Sequence, residues 1–174
     1  EQDGCGVCNG NGLFADYYNC GDVKELIDMG ICSSTTNCIV DTDVTWTLGR
    51  ATQLQNFGSG NDPTNIPNSA GNLDSLKAIY FNHNGIWECP SNIGLLTGLE
   101  ILSMSSTDLA SLPESFGNLI NLKTLSLQNN YLVTLPESFG NLINLQGNLL
   151  IYENNLITLP DGIGNLINLE QLNL

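Results

Sequence analysis

Apolar residues over residues 63–174 fall into a fixed order of spacings. Leu76, Ile79, Phe81, Ile86 and Cys89 are followed by Leu99, Leu102, Met104, Leu109 and Leu112, and then by Leu122, Leu125, Leu127, Leu132 and Leu135. Leu145, Leu149, Ile151, Leu156 and Leu159 repeat the order once more, with one residue inserted between Gln146 and Asn148. The prolines keep the same count, because Pro67, Pro90, Pro113, Pro136 and Pro160 are 23, 23, 23 and 24 residues apart. The segment LPESFGNLINL stands at 112–122 and again at 135–145. A period of this size marks a unit that is repeated and stacked.

Each unit predicts a short strand. Apolar residues two places apart put their side chains on one face of an extended segment. A single such strand cannot bury its leucines, so units stack until the leucines form a continuous column. Asn84, Asn130 and Asn154 stand where the chain leaves the strand and turns inward, where a short amide can bond the turn's own backbone groups. Thr107 takes that place in the second unit, and the link is expected to be weaker there. Proline then fixes the far side of each unit, followed three residues on by Ala70, Ile93, Phe116, Phe139 or Ile163, and by a glycine.

The pattern LxxLxLxxNxLxxLP over 63–174 resembles the leucine-rich repeat family. The resemblance implies an α/β repeat solenoid of about five units, with a parallel sheet on the concave face and irregular or short 3-10 segments on the convex face. It also implies that partners bind on the concave face.

Residues 1–62 do not follow the period. Residues 1–21 are rich in Gly, Asn and Cys and read as a loop held by cross-links. Residues 22–62 read as a cap. Asp22 and Glu25 open a helix over 22–29, with Val23, Leu26 and Ile27 on one face and Gly30 after it. Alternation over 39–48, with Val44, Trp46 and Leu48 on one side, predicts a strand; residues 53–65 read as an irregular first turn. The arrangement is similar to the N-terminal caps of extracellular leucine-rich repeat proteins.

Of the six cysteines, Cys5, Cys8, Cys20, Cys32 and Cys38 precede the repeats and Cys89 occupies a leucine position within them. An even number crowded at one end predicts a disulfide-stapled cap and an extracellular or cell-surface location, with the pairing open. The count favours a link from Cys89 back to the cap. CGVCNGNG also fits the CxxCxGxG spacing of zinc knuckles, but the second CxxC that supplies the remaining ligands is missing. Asp3, Asn9, Asn11 and Asp16 offer oxygens to calcium, yet the EF-hand order fails at Leu13 and no glutamate closes the loop. No cofactor is therefore predicted, and calcium rests on those four side chains alone.

Charge narrows the partners. With 18 acidic and 4 basic residues the net charge is −14, and residues 1–62 and 63–174 each carry nine acids and two bases. Nucleic acid and anionic membrane surfaces are disfavoured. No apolar run approaches the roughly 18 to 20 residues that span a bilayer. Although there are 24 asparagines, no Asn-x-Ser/Thr sequon occurs, so N-linked glycan is not expected on this portion. His83 is the only histidine and the pattern places serine and asparagine beside it, so no catalytic constellation forms and no enzyme activity is predicted.

Binding residues follow from the columns. The central concave column is Tyr80, Ser103, Ser126, Leu150 and Asn173; beside it run Asn82, Ser105, Gln128 and Tyr152, then His83, Ser106, Asn129 and Glu153. On the convex side Glu114, Glu137 and Asp161 share a position, where they either splay into solvent or hold a cation between them. Asn118, Asn141 and Asn165, and likewise Asn121, Asn144 and Asn168, form two columns suited to hydrogen-bonded ladders.

The sequence ends within a strand, so Ile163, Leu166, Leu169, Leu172 and Leu174 are expected to face water, where covering them is worth roughly 10 kcal/mol. Two functions follow. The first is a structural or assembly subunit of an extracellular fibre or surface layer, joined head to tail with itself through that open end, since unlike ends build filaments. The alternative is a recognition module, similar to receptor ectodomains or secreted inhibitors, binding protein or glycan on the concave face. The small, neutral concave columns favour the first.

Overall fold

A strand that buries every second residue needs neighbours on both edges, and the repeats supply them in chain order. The computed structural model describes residues 8–9, 13–14, 18–19, 44–47, 50–54, 73–83 and 85–174. Strands β5 (Arg50–Leu54), β6 (Ala78–Tyr80), β7 (Ile101–Ser103), β8 (Thr124–Ser126), β9 (Gly147–Leu150) and β10 (Leu169–Asn173) form one parallel sheet in sequence order. β4 (Val44–Thr47) closes the β5 edge antiparallel. Register follows the period: Ile79 pairs with Leu102 and Leu102 with Leu125. From β4 onward the described residues form a leucine-rich repeat solenoid.

Opposite the sheet, the four units from Pro90 onward each make a five-residue 3-10 turn: η1 (Ser91–Leu95), η2 (Glu114–Asn118), η3 (Glu137–Asn141) and η4 (Asp161–Asn165). Proline precedes each one. Its ring fixes φ and removes an N–H that the start of a helical turn would leave unpaired. The chain then closes i to i+3 bonds in series, such as Phe116 N–H to Pro113 O (2.9 Å), Leu119 N–H to Phe116 O (3.1 Å) and Leu122 N–H to Leu119 O (2.9 Å).

The core runs between sheet and turns as the columns read from sequence, with Leu102, Met104, Leu109, Phe116, Leu119 and Leu122 all at 0% exposure in a single unit. Phe116 stacks on Phe139 with ring centroids 6.1 Å apart, within the range of favourable aromatic pairs. Units approach closely enough that a Cβ on Gly117 would lie 2.4 Å from Ser138 O, so the position admits only glycine. The residue inserted in the fourth unit is absorbed at Gly147, where φ is +67° and the pairing with β10 slips.

Several expectations change. Residues 1–21 include three short strands, β1 (Cys8–Asn9), β2 (Leu13–Phe14) and β3 (Tyr18–Asn19), paired antiparallel as a separate small sheet. Gln53 belongs to a strand, because Ala51 and Leu54 are both at 0% exposure and draw β5 onto the core. The helix over 22–29, Cys5, Cys20, Cys32, Cys38, Asn84, and Asp3, Asn11 and Asp16 of the calcium reading lie outside the described residues.

Cys89 is a free thiol at 5% exposure and forms no link to the cap. It packs as a small hydrophobe in its leucine column. At the last unit, Leu166 is buried and Ile163 and Leu169 pack partly against the core, leaving Leu172 (37%) and Leu174 (61%) as the exposed pair. Each unit packs on the one before it, so only the side turned away from that neighbour stays open.

Candidate binding surface on the concave face

Because side chains alternate along a strand, the residues flanking each buried leucine point out of the sheet. Pairing brings them together as columns: Tyr80 with Ser103, Ser103 with Ser126, Ser126 with Leu150, and Leu150 with Asn173. All five are half-buried, as expected for a hollow face.

The second column is less available than its composition suggests. Asn82 Oδ1 accepts hydrogen bonds from Ser103 Oγ (2.7 Å), Ser105 Oγ (2.7 Å) and Ser105 N–H (3.0 Å), so both serine hydroxyls are committed and Ser105 is buried. Gln128 Oε1 is shielded from solvent without a partner. Tyr152 stands 37% exposed at the far end of the column.

The third column turns the chain. His83, Ser106, Asn129 and Glu153 all have positive φ, at 59°, 55°, 59° and 54°. Such a conformation costs roughly 1 to 2 kcal/mol for a residue with a Cβ. Neighbouring units hold it in place, since His83 N–H bonds Ser105 O (3.0 Å), Ser106 N–H bonds Gln128 O (3.0 Å) and Asn129 N–H bonds Tyr152 O (3.1 Å). No residue type signals this conformation, because the backbone path sets φ here and four different side chains share it.

Behind this column the asparagines do what their position predicts. Asn130, 5% exposed, accepts from Thr107 N–H (3.2 Å), Thr107 Oγ1 (2.6 Å) and Leu109 N–H (3.2 Å), and donates to Met104 O (2.7 Å) and Leu127 O (3.0 Å). Asn154 donates to Leu127 O (2.9 Å) and Ile151 O (2.7 Å) and accepts from Leu132 N–H (3.0 Å). Thr107 reaches its own strand's Met104 O only at 3.4 Å, so its link is the weaker one.

Along the strand-start edge of the face lies a charge ladder at the repeat period. Glu100 sits between Lys77 (3.5 Å to Oε1) and Lys123 (2.7 Å to Oε2). Lys123, and secondarily Lys77, holds the Glu100 carboxyl below the usual carboxylate range. The ladder was readable in the sequence as Lys77, Glu100 and Lys123 at one position of successive rows.

On the convex side the Glu114 carboxylate turns toward the next unit and does not splay into solvent: it accepts the backbone N–H groups of Glu137 (3.3 Å) and Ser138 (3.2 Å), capping η3. Asn121, Asn144 and Asn168 form a ladder, donating to Thr97 O (2.8 Å), Ile120 O (2.7 Å) and Ile143 O (2.8 Å) of the preceding units. Asn118, Asn141 and Asn165 are exposed at the ends of the 3-10 turns. Among the described residues, no helix is long and apolar enough to cross a membrane.

A family described as "Leucine-rich repeat region" matches residues 99–174. No curated protein sequence matches the chain. Among solved structures, the chain is similar to a leucine-rich repeat protein of Leptospira interrogans, at 34% identity and a TM-score of 0.63, over 71% of this chain and 31% of that one. It is similar in fold to the ectodomain of the receptor kinase SOBIR1 from Arabidopsis thaliana, at 21% identity and a TM-score of 0.68, over 91% of this chain and 93% of that one. It is also similar in fold to PEPR1, solved with AtPEP1, at 21% identity and a TM-score of 0.68, over 88% of this chain and 24% of that one. The chain thus spans under a third of the Leptospira protein and of PEPR1.

Proposed function

We propose that this protein is a non-enzymatic, extracellular recognition module that binds its ligand on the concave face of the solenoid. The observation that carries the reading is the register of the sheet, which lines up Tyr80, Ser103, Ser126 and Leu150 as one half-buried, uncharged column. A hollow face whose central column is uncharged, with the exposed Tyr152 beside it, offers aromatic anchors and polar contacts at low cost in side-chain entropy. One protein of the same fold is the ectodomain of a receptor kinase and another was solved with AtPEP1, which favours recognition over a fibre subunit. Of the five residues on which the fibre reading rests, Leu166 is buried and Ile163 and Leu169 pack partly against the core.

The test is selection on the wild-type protein from a random-peptide display library and a glycan array, followed by rebinding to variants. Tyr80→Ala and Ser126→Arg on the concave face should weaken the selected ligands at least tenfold, and the convex Asn141→Arg should leave them unchanged. Ligands lost in Asn141→Arg and retained by both concave variants would reject the proposal.

A further inference from the structure

We infer that a cavity at the strand-start edge of the concave face is a subsite for a neutral sugar ring, held through adjacent hydroxyl groups by Lys77 and Glu100; this rests on the concave-face reading. The cavity has a volume of about 490 Å³, within the range of small-molecule sites. Gln53, Ala78 and Ile101 pair across β5, β6 and β7 and line it in one row. Ala78 and Ile101 lie two places before Tyr80 and Ser103 on their strands and so share the concave face with the central column. Thr52 and Ser75 add to the lining.

The two pairings of Glu100 are unequal. Lys123 closes on Oε2 at 2.7 Å, the length of a complete ammonium–carboxylate hydrogen bond. Lys77 stands 3.5 Å from Oε1, too far for such a bond, and spends one donor on Gly98 O at 3.1 Å. Lys123 therefore fixes the carboxylate while Oε1 and the Lys77 ammonium remain side by side at the cavity. A ligand carboxylate would meet the charge of Glu100, and a ligand ammonium that of Lys77. A hydroxyl both donates and accepts, so neighbouring hydroxyls on one ring satisfy the two groups together. Ala78 and Ile101 take the ring's C–H face. The net charge of −14 opposes uronate or sulfated chains and selects a neutral sugar.

Saturation-transfer NMR of the whole chain with glucose, galactose, mannose, N-acetylglucosamine and their β-linked disaccharides tests this directly. At least one should show ring-proton saturation, weakened roughly tenfold or more by Lys77→Met and by Glu100→Ala, as expected for losing a charged hydrogen-bond partner. Lys123→Met should reduce it less, through misplacement of Glu100, and Lys123→Arg should restore it. Unchanged far-UV circular dichroism and melting are expected in all four variants, because exposed ion pairs contribute little to stability. Absence of saturation with every sugar, or saturation in Lys77→Met and Glu100→Ala equal to that of the wild type, would overturn the assignment. A selected peptide that depends on Tyr80 but ignores both substitutions would leave the concave face standing without the sugar subsite. Selected ligands that ignore Tyr80 as well would end both.

Discussion

Asn130→Ala should be among the most damaging single changes in the repeats. The side chain is 5% exposed and links two units, so its removal strands groups that water cannot reach. Thr107 N–H and Leu109 N–H both donate to its oxygen and lose that partner. Met104 O and the Thr107 hydroxyl are left only with their mutual 3.4 Å contact. Leu127 O keeps its bond from Asn154. Two orphaned N–H groups at about 1 to 3 kcal/mol each, with a further ~1 kcal/mol for the weakened pair, give a loss of about 4 kcal/mol. Asn154→Ala removes bonds to Leu132 N–H, Leu127 O and Ile151 O at a partly exposed site, where water replaces some of them, so the loss there should be about 1 to 2 kcal/mol. Urea unfolding followed by circular dichroism, with unchanged m-values, measures both. A loss below 1 kcal/mol for Asn130→Ala, or a larger loss for Asn154→Ala, would refute the account of the turn.

Gly117→Ala should cost at least about 2 kcal/mol, because its Cβ would meet Ser138 O at 2.4 Å, whereas Gly164→Ala, with nothing within 4 Å, should stay within about 0.5 kcal/mol of wild type or gain stability. Equal melting temperatures for the two variants would contradict the close approach of units. Burial pushes the Cys89 thiol up from 9.0 to about 12, so the folded state favours the protonated form. That contribution is complete below pH 9 and fades as pH rises toward the folded value; between pH 9 and 10 the wild type should lose about 1 kcal/mol more than Cys89→Leu in urea titrations, and parallel curves would show that the thiol titrates normally. Gln128→Met should preserve stability or raise it by about 1 kcal/mol, since it removes a shielded oxygen that has no partner; a clear loss in chemical denaturation would mean that the oxygen is satisfied after all.

The repeats were legible because their core is written at one period. Ile79, Leu102, Leu125 and Leu149 had to share a column once the prolines were aligned, and the same arithmetic placed Tyr80, Ser103 and Ser126 side by side on the other face. Asn130 and Asn154 were legible for a different reason: a short amide at a buried turn has few other uses. What escaped the sequence depends on how one unit meets the next in space. Glu114 reaches forward to cap the following turn, and no residue type signals that direction. The left-handed backbone at His83 and Glu153 is imposed by bonds to adjoining strands. Strand β5 was hidden because Ala51 and Leu54 are three apart and follow neither strict alternation nor the repeat. Cys89 was misjudged by counting cysteines, when its leucine column already gave it a place in the core.

If the concave face does the binding, the tyrosines report on it directly. Tyr80 and Tyr152 lie on that face, while Tyr131 (57% exposed) and Trp87 (54% exposed) stand on segments outside the sheet. Hydroxyl-radical footprinting, with and without a ligand selected on the wild-type protein, should show oxidation of Tyr80 and Tyr152 falling while Tyr131 and Trp87 are unchanged. Protection of Tyr131 and Trp87, with Tyr80 and Tyr152 still fully oxidised, would place the binding surface elsewhere and contradict the account.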